Sequence, residues 1–348
     1  MAEEKPILRY RDAGVNIDAA DEAVRGIKDL VKKTFDDHVL CDIGTFGAMY
    51  QPDLSGMEEP VLVSSVDGVG TKLKLAFMTG KHDTIGIDLV SHCVNDILVQ
   101  GARPLFFLDY VAAQRLEPTV VERIVQGMAA ACRDCGCALL GGEMAEMPGV
   151  YAEGEVDVAG TIVGVVDERD LLPRLAAMAE GDVLVGLPST GLHTNGYSLA
   201  RKVCFELAGL TVQDPLPGTG RSVGEALLAV HRNYLAPVLP LVREHKLVAM
   251  AHITGGGLTD NLPRVLPGHL DAAVDTGSWT VPPLFRFLAD QARLPLEDAR
   301  RSFNLGVGMV LIAPRRDVQD VLGRLSDAGE APWVLGELVQ GTGAVAYR

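Results

Sequence analysis

The sequence predicts a mixed α/β protein of two domains, and three observations carry that prediction. A length of 348 residues, at roughly 150 per domain, points to two domains, or one large one, with ample material for a buried core. Short apolar runs bounded by glycine alternate along the whole chain with stretches whose apolar residues recur at three- and four-residue steps. Glycine is in excess, 38 residues or about 11% against a usual ~7%, as expected of many tight strand-to-helix turns.

Taken in order, Ala20, Ala23, Val24, Ile27, Leu30 and Val31 mark an amphipathic helix over 18–33. Pro60 to Asp67 reads as a strand, broken into a loop by Gly68-Val-Gly-Thr-Lys72. Thr84 to Gln100 reads as a helix closed by Gly101, and Leu105 to Ala112 as the next strand. Thr119 and Glu122 form a possible capping box, and Val121, Ile124, Val125, Met128 and Cys132 supply the stripe of a helix ending at Gly136. Ala138–Leu140 and Val156–Val166 are strands separated by a turn-rich segment. These elements form a first domain, 1–170, and the strands of a second, 171–348, begin after a polar, proline-containing connection over 167–180. In the second, strands are expected over 182–187, 247–253, 306–313 and 333–339. Helices are expected over 197–207, 224–244, 282–292 and 317–328, with another after Gly257.

The net charge, 31 − 46 = −15, opposes nucleic acid and anionic membranes as partners. No apolar run approaches the ~20 residues of a membrane span. The opening MAEEKPILRYRDAG lacks a basic region followed by an apolar core, and six scattered cysteines do not make a disulfide framework. A cytoplasmic protein is expected. GxxxxGK[ST], GxGxxG after a strand, GxSxG and HExxH are all absent, which removes Walker-loop, Rossmann, serine-hydrolase and zinc-protease readings. Cys132, Cys135 and Cys137 have no second ligand pair and are expected to be packed thiols.

Five segments carry candidate chemistry. In SVDGVGTK, Asp67 ends a strand before Gly68, Gly70, Thr71 and Lys72, a pattern suited to a metal beside backbone donors and a cation, or else a polar turn. In IGIDLVSHCVNDILVQG, the 100° step puts Asp88, His92, Asn95 and Asp96 on one helical face, fit to share a metal or simply to meet solvent. GGEMAEMPG places Glu143 at another strand end. STGLHTNGYS sets His193, Thr194 and Asn195 in a glycine-flanked loop before a helix, where His193 suits proton donation or phosphoryl stabilisation, or a cap. AHITGGGLTDN repeats that geometry with Gly255, Gly256 and Gly257, as a phosphate loop or a hinge, and Asn304 in SFNLGVGM is a substrate contact or a turn cap.

Together YRDAGVNIDA, SVDGVGTK, HDTIGIDLVSHCVNDILVQGARPLFFLDY, GGEMAEMPG, GLHTNGYSL, HITGGGLTDNLPRVLP and FNLGVGM, in this order across nearly the whole chain, resemble the phosphoribosylformylglycinamidine cyclo-ligase family. The wider group includes selenophosphate synthetase and thiamine-monophosphate kinase, which use ATP without a Walker loop. The resemblance implies an N-terminal domain whose strands join those of a second subunit in a barrel-like homodimer, and an α/β C-terminal domain. It implies ATP-dependent closure of formylglycinamidine ribonucleotide to 5-aminoimidazole ribonucleotide by way of a phosphorylated formyl oxygen. It makes Asp67, Asp96 and Glu143 ligands of magnesium on ATP, Lys28 and Lys72 phosphate contacts, and His193, Asp96 and Lys28 catalytic candidates. Gly68, Gly70, Thr71, Asn95, Thr194, Asn195 and Gly255–Gly257 become nucleotide or substrate contacts. The chain departs from the family pattern at Met144, Leu192 and Thr194, where threonine, proline and serine are expected. The alternatives are a kinase of another small metabolite on the same scaffold and a noncatalytic nucleotide-binding protein.

Overall fold

A computed structural model describes residues 9–348, so residues 1–8, part of the opening segment discussed above, lie outside the described residues. The first domain holds helices α1 (Ile17–Lys32), α2 (Leu73–Thr79), α3 (Asp83–Leu98) and α4 (Pro118–Asp134) and strands β1 (Pro60–Gly68), β2 (Arg103–Ala113), β3 (Ala138–Glu146) and β4 (Val156–Asp167). Its sheet runs β1-β4-β2-β3, antiparallel except for the parallel β2/β3 pair. Side chains alternate along β1, so Val61, Val63, Ser65 and Asp67 turn towards α3, while Leu62, Ser64 and Val66 lie exposed on the other face. That outer face also carries the half-buried Phe106, Leu108 and Val163.

The second domain has strands β5 (Val183–Pro188), β6 (Ala249–His252), β7 (Leu270–Val274), β8 (Val307–Ala313), β9 (Trp333–Gln340) and β10 (Val345–Tyr347) in the order β10-β7-β9-β5-β8-β6. Its helices are α5 (Tyr197–Arg201), α6 (Val223–Leu227), α7 (Leu235–Arg243), α8 (Gly257–Asn261), α9 (Pro283–Ala292), α10 (Leu296–Ser302) and α11 (Val318–Asp327). The link from Asp167 to Val183 contains two short 3-10 turns.

The long strands and the helices α1, α3, α4, α9 and α11 lie where periodicity puts them. The helix expected over 224–244 is instead two, α6 and α7, with the intervening chain drawn against α3. Asp88 Oδ1 accepts the His231 N–H at 2.7 Å and Asn95 Oδ1 the Tyr234 N–H at 3.0 Å, so these donors need no helical partners. The strand expected over 138–140 extends to Glu146, because β2 offers it parallel partners through Ala113. Strands β7 and β10 and helices α2 and α10 were not expected; most are short and lack a strong period of their own.

Helix α3 is the pivot. Twelve of its sixteen residues are buried, which rules out a solvated polar face. It meets α4 closely enough that a Cβ at Gly86 would strike the Ile124 carbonyl and one at Gly127 the Asp83 carbonyl, so both positions demand glycine. Its apolar side joins, through Leu89, Val90, Cys93 and Ile97, a core that continues into the second domain at Val185, Leu241 and Met309, and its polar side also faces that domain.

Candidate active site

Two clusters form along the polar side of α3, eight residues apart. The deeper one surrounds Lys72, which the 3-10 turn after β1 carries fully inside the protein. Its Nζ lies 2.8 Å from Asp88 Oδ2 and donates to the carbonyls of Ala229 (2.8 Å) and His193 (3.2 Å). Two of the ammonium's three donors go to these carbonyls, and its charge faces the Asp88 carboxylate. Burial pushes Asp88 up to about 6 and lowers Lys72, against their mutual attraction, which acts the other way on each. The 2.8 Å approach of the two groups, with no solvent between them, is that of an ion pair. Lys72 was expected at a phosphate; the structure makes it instead a clamp on the loop that carries His193. Asn95 is likewise absorbed, its Nδ2 donating to the Arg232 carbonyl at 2.8 Å and its Oδ1 accepting from Tyr234.

The shallower cluster gathers Asp67 from β1 and His92 and Asp96 from α3 with His252 from β6. His92 Nε2 is 3.4 Å from Asp67 Oδ2 and 3.7 Å from Asp96 Oδ2. His252 Nδ1 is 2.8 Å from Asp96 Oδ1, and Ser65 donates to Asp96 Oδ2 at 3.3 Å. Burial first, then the hydrogen bond and charge of Asp96, push Asp67 up to about 7. Burial would raise Asp96 too, but the hydrogen bond and charge of His252 outweigh it and hold Asp96 below the usual carboxylate range. His92 falls to about 4 through burial and the charge of His252, so it faces the carboxylates as a neutral ring.

From His92 the contacts continue into the second domain. His92 Nδ1 meets Thr194 Oγ1 at 2.6 Å, Thr194 Oγ1 lies 3.4 Å from His231 Nδ1, and His231 Nε2 is 3.0 Å from His252 Nε2. His193 stacks on His231 with ring centroids 4.0 Å apart. Its φ of 61° is left-handed, a conformation that costs a non-glycine residue about 1–3 kcal/mol and gathers at functional sites. Its Nε2 accepts the Thr190 N–H at 3.2 Å, and its buried Nδ1 has no partner. Burial and nearby positive charge hold it well below its ordinary value, so the ring is neutral with its proton on Nδ1, an unspent donor.

Several other expected residues stand apart. Glu143 lies exposed on the edge strand β3; the residue in the row of Asp67, through Gly160 and Asp109, is Gly142, so Glu143 points to the opposite face. Within one chain it does not join Asp67 and Asp96. Lys28 is exposed on α1 and pairs with Asp42 at 3.5 Å. Thr71 Oγ1 touches Ser198 Oγ across the domains at 3.1 Å, and Asn195 Nδ2 lies 3.4 Å from Thr194 Oγ1. In the glycine loop, Asn261 donates to the carbonyls of Gly255 and Gly257, and Gly256 has φ 95°. Asn304 is a staple, accepting from Ser189 Oγ and Gly306 N and donating to Gly191 O. Of the three thiols expected to be packed, Cys132 and Cys137 are buried and Cys135 is half-buried. A cavity of about 260 Å³ lined by Ser189, Thr190, Gly191 and Arg221 opens beside the His193 loop. Sequence reasoning missed His231, His252 and Ser65 as site residues. His252 sits in the string that also holds the glycine loop, but nothing local marks His231 or Ser65.

The N-terminal and C-terminal domain models of the AIR synthase related proteins match residues 48–166 and 179–348. Among solved structures, thiamine-monophosphate kinase from Stenotrophomonas maltophilia superposes with a TM-score of 0.69 at 20% identity, covering 92% of this chain and 95% of that one. Hydrogenase maturation protein HypE, solved in complex with ATP, gives 0.65 at 21% identity, covering 93% and 90%. Fold and site thus define a two-domain protein of the AIR synthase type. Proteins named phosphoribosylformylglycinamidine cyclo-ligase are 48% identical in Brevibacillus brevis (97% of this chain, 98% of the relative) and 50% in Nitratidesulfovibrio vulgaris (94% and 93%). The chain belongs to the phosphoribosylformylglycinamidine cyclo-ligase family, and it is a ligase.

Proposed function

We propose that the protein converts formylglycinamidine ribonucleotide and ATP into 5-aminoimidazole ribonucleotide, ADP and phosphate, in purine biosynthesis. What carries the reading is the meeting of Asp67 and Asp96, from separate elements, in a chain about half identical along its length to proteins named for this ring closure. An amide oxygen is a poor leaving group. Transfer of the γ-phosphoryl to the formyl oxygen makes it phosphate, the amidine nitrogen attacks the same carbon, and the C–O bond breaks as the ring closes and a proton is lost from nitrogen. Holding both ends of one substrate together gives the effective molarity that makes the second step fast.

Asp67 and Asp96 would hold magnesium. They fit it because two oxygen donors are forced together, and a dication would offset both the burial and the neighbouring Asp96 charge that push Asp67 up. Magnesium bound there supplies charge neutralisation for phosphoryl transfer. The chain's own groups do the rest: Ser65 and His252 orient Asp96, Thr194 orients His92, and Lys72 with Asn304 fixes the His193 loop. His193 then offers its unspent Nδ1–H to oxygen on substrate or phosphate. The exposed Leu62 and Val66 on the outer sheet face support a homodimer built across it, with domains divided at 170/171. The second subunit would bring the outward-facing Glu143, on the same sheet face, into that interface. Among the described residues no helix is long and apolar enough to cross a membrane, and a cytoplasmic setting goes with the purine pathway. The kinase alternative rests on likeness of fold alone.

The test is a direct assay of purified protein with formylglycinamidine ribonucleotide, magnesium and ATP. One aminoimidazole product per ADP is expected, and ADP release without ring closure would refute the reaction. For His193→Ala, a fall in turnover of about 10²–10⁴-fold with nucleotide affinity little changed is expected; equal losses in both would assign His193 to binding alone.

A further inference from the structure

The donor on His193 is directional, and one hydrogen bond does not aim it. The Thr190 N–H holds His193 Nε2 at 3.2 Å, but the ring can still twist about that anchor, and its Nδ1–H moves with the ring plane. Hydrogen bonds weaken steeply off axis, so the plane decides whether the donor is of use. A neighbouring ring supplies the plane. His231 lies flat against His193, with ring centroids 4.0 Å apart and planes within 21°. Tyr234, also beside His193, stands 6.3 Å away at 53° and gives no such face. At the ring edge β8 leaves just enough room, since a Cβ at Gly308 would lie 2.8 Å from His193 Cε1.

His231 is itself firmly held. Its N–H donates to Asp88 Oδ1 at 2.7 Å, and Lys72, paired with that carboxylate, donates to the His193 carbonyl at 3.2 Å, so one ion pair aligns the backbones of both histidines. Asn95 Nδ2 spends one hydrogen on the Arg232 carbonyl and turns the other to His231 Nε2 at 3.3 Å, which makes that nitrogen an acceptor. The ring proton is then on Nδ1, towards Thr194 Oγ1 at 3.4 Å, while His252 Nε2 lies 3.0 Å from the accepting nitrogen. Burial first, then the surrounding positive charge, keeps the His231 ring neutral, so it offers His193 a face without adding repulsion.

We propose that His231 is a positioning residue for this reaction: its flat ring sets the plane in which the His193 Nδ1–H is aimed at oxygen on substrate or phosphate. The inference rests on the reading of His193 as that donor. His231 acts through His193 and itself transfers no proton.

The first measurement needs no substitution. In the intact protein, isotope-labelled in its histidine rings, nuclear magnetic resonance is expected to show one His193 tautomer, protonated at Nδ1, with its ring protons shifted upfield by the face of His231. A His193 ring that averages between orientations overturns the inference. His231→Asn keeps polar groups at the position and removes the flat face, so turnover is expected to fall about 10–100-fold with KM for ATP unchanged. His231→Phe, which restores a flat ring without either nitrogen, is expected to regain most of that loss. In a His193→Ala background His231→Asn is expected to cost nothing further, because a residue that acts through another has no effect once the other is gone. A further fall of the same size there, or a His231→Phe no better than His231→Asn, overturns His231 as the positioning residue while leaving His193 in place. A fully active His193→Ala overturns the reading of His193, and the inference with it.

Discussion

Asp88 and Asp96 sit two turns apart on the same face of one helix, yet one is structural and the other is free for chemistry. Asp88 is fully buried and answered by an ammonium, a backbone N–H and no solvent. Asp96 keeps 27% of its side chain exposed, shares a neighbourhood with a second carboxylate and is answered by a histidine and a serine. Where opposite charge is complete, a carboxylate locks two domains together. Where like charge is left in excess, it leaves a place for a cation. The same contrast separates Lys72 from the phosphate role that its glycine-flanked position suggests.

The comparison breaks most visibly at the locked end. Lys72→Met leaves a carboxylate buried with no counter-ion, and a loss of about 3–5 kcal/mol in denaturant unfolding is expected, with part regained in the Lys72→Met/Asp88→Leu double variant. Equal stability of Lys72→Met and parent would show that the pair does not tie the domains. At the open end, Asp96→Asn is expected to cost about 100-fold or more in turnover, with unfolding little changed, because charge is removed at almost constant volume. Full activity at limiting dication would dismiss the carboxylate from the site.

A smaller effect comes from protons. Asp67, pushed up to about 7, must ionise to bind a cation, so ion affinity falls as pH drops through 7, by up to about tenfold per unit below it. Calorimetric titrations at pH 6 and pH 8 check the slope; a flat profile would mean that Asp67 is not a ligand. The smallest change is Ser65→Ala, which removes one 3.3 Å hydrogen bond from Asp96 and is expected to weaken ion binding by only a few-fold, roughly 1 kcal/mol.

Much of the architecture was readable from periodicity. The strand ending at Asp67 and the buried helix with its polar stripe are written as alternation and as a 100° recurrence, since each reflects burial of one face. The segment 224–244 was not, because its apolar spacing is helical while its backbone donors bond to Asp88 and Asn95, more than a hundred residues away. The site divides in the same way. Asp67 and His193 announce themselves by a strand end and a glycine-flanked loop and Asp96 by the polar stripe of a helix, whereas His231 and His252 matter only for what faces them.

The amino-acid order by itself determined which residues can bear charge at the ends of strands and which helix must be buried, because propensity and amphipathic spacing act over a few residues. Only the tertiary structure decided that Lys72 and Asn95 fasten the domains, that Glu143 turns outward, and that four histidines converge beside Asp96. A side chain's charge state, hydrogen-bond direction and ligand competence depend on neighbours within a few ångströms, and those neighbours are supplied by parts of the chain that no local pattern connects.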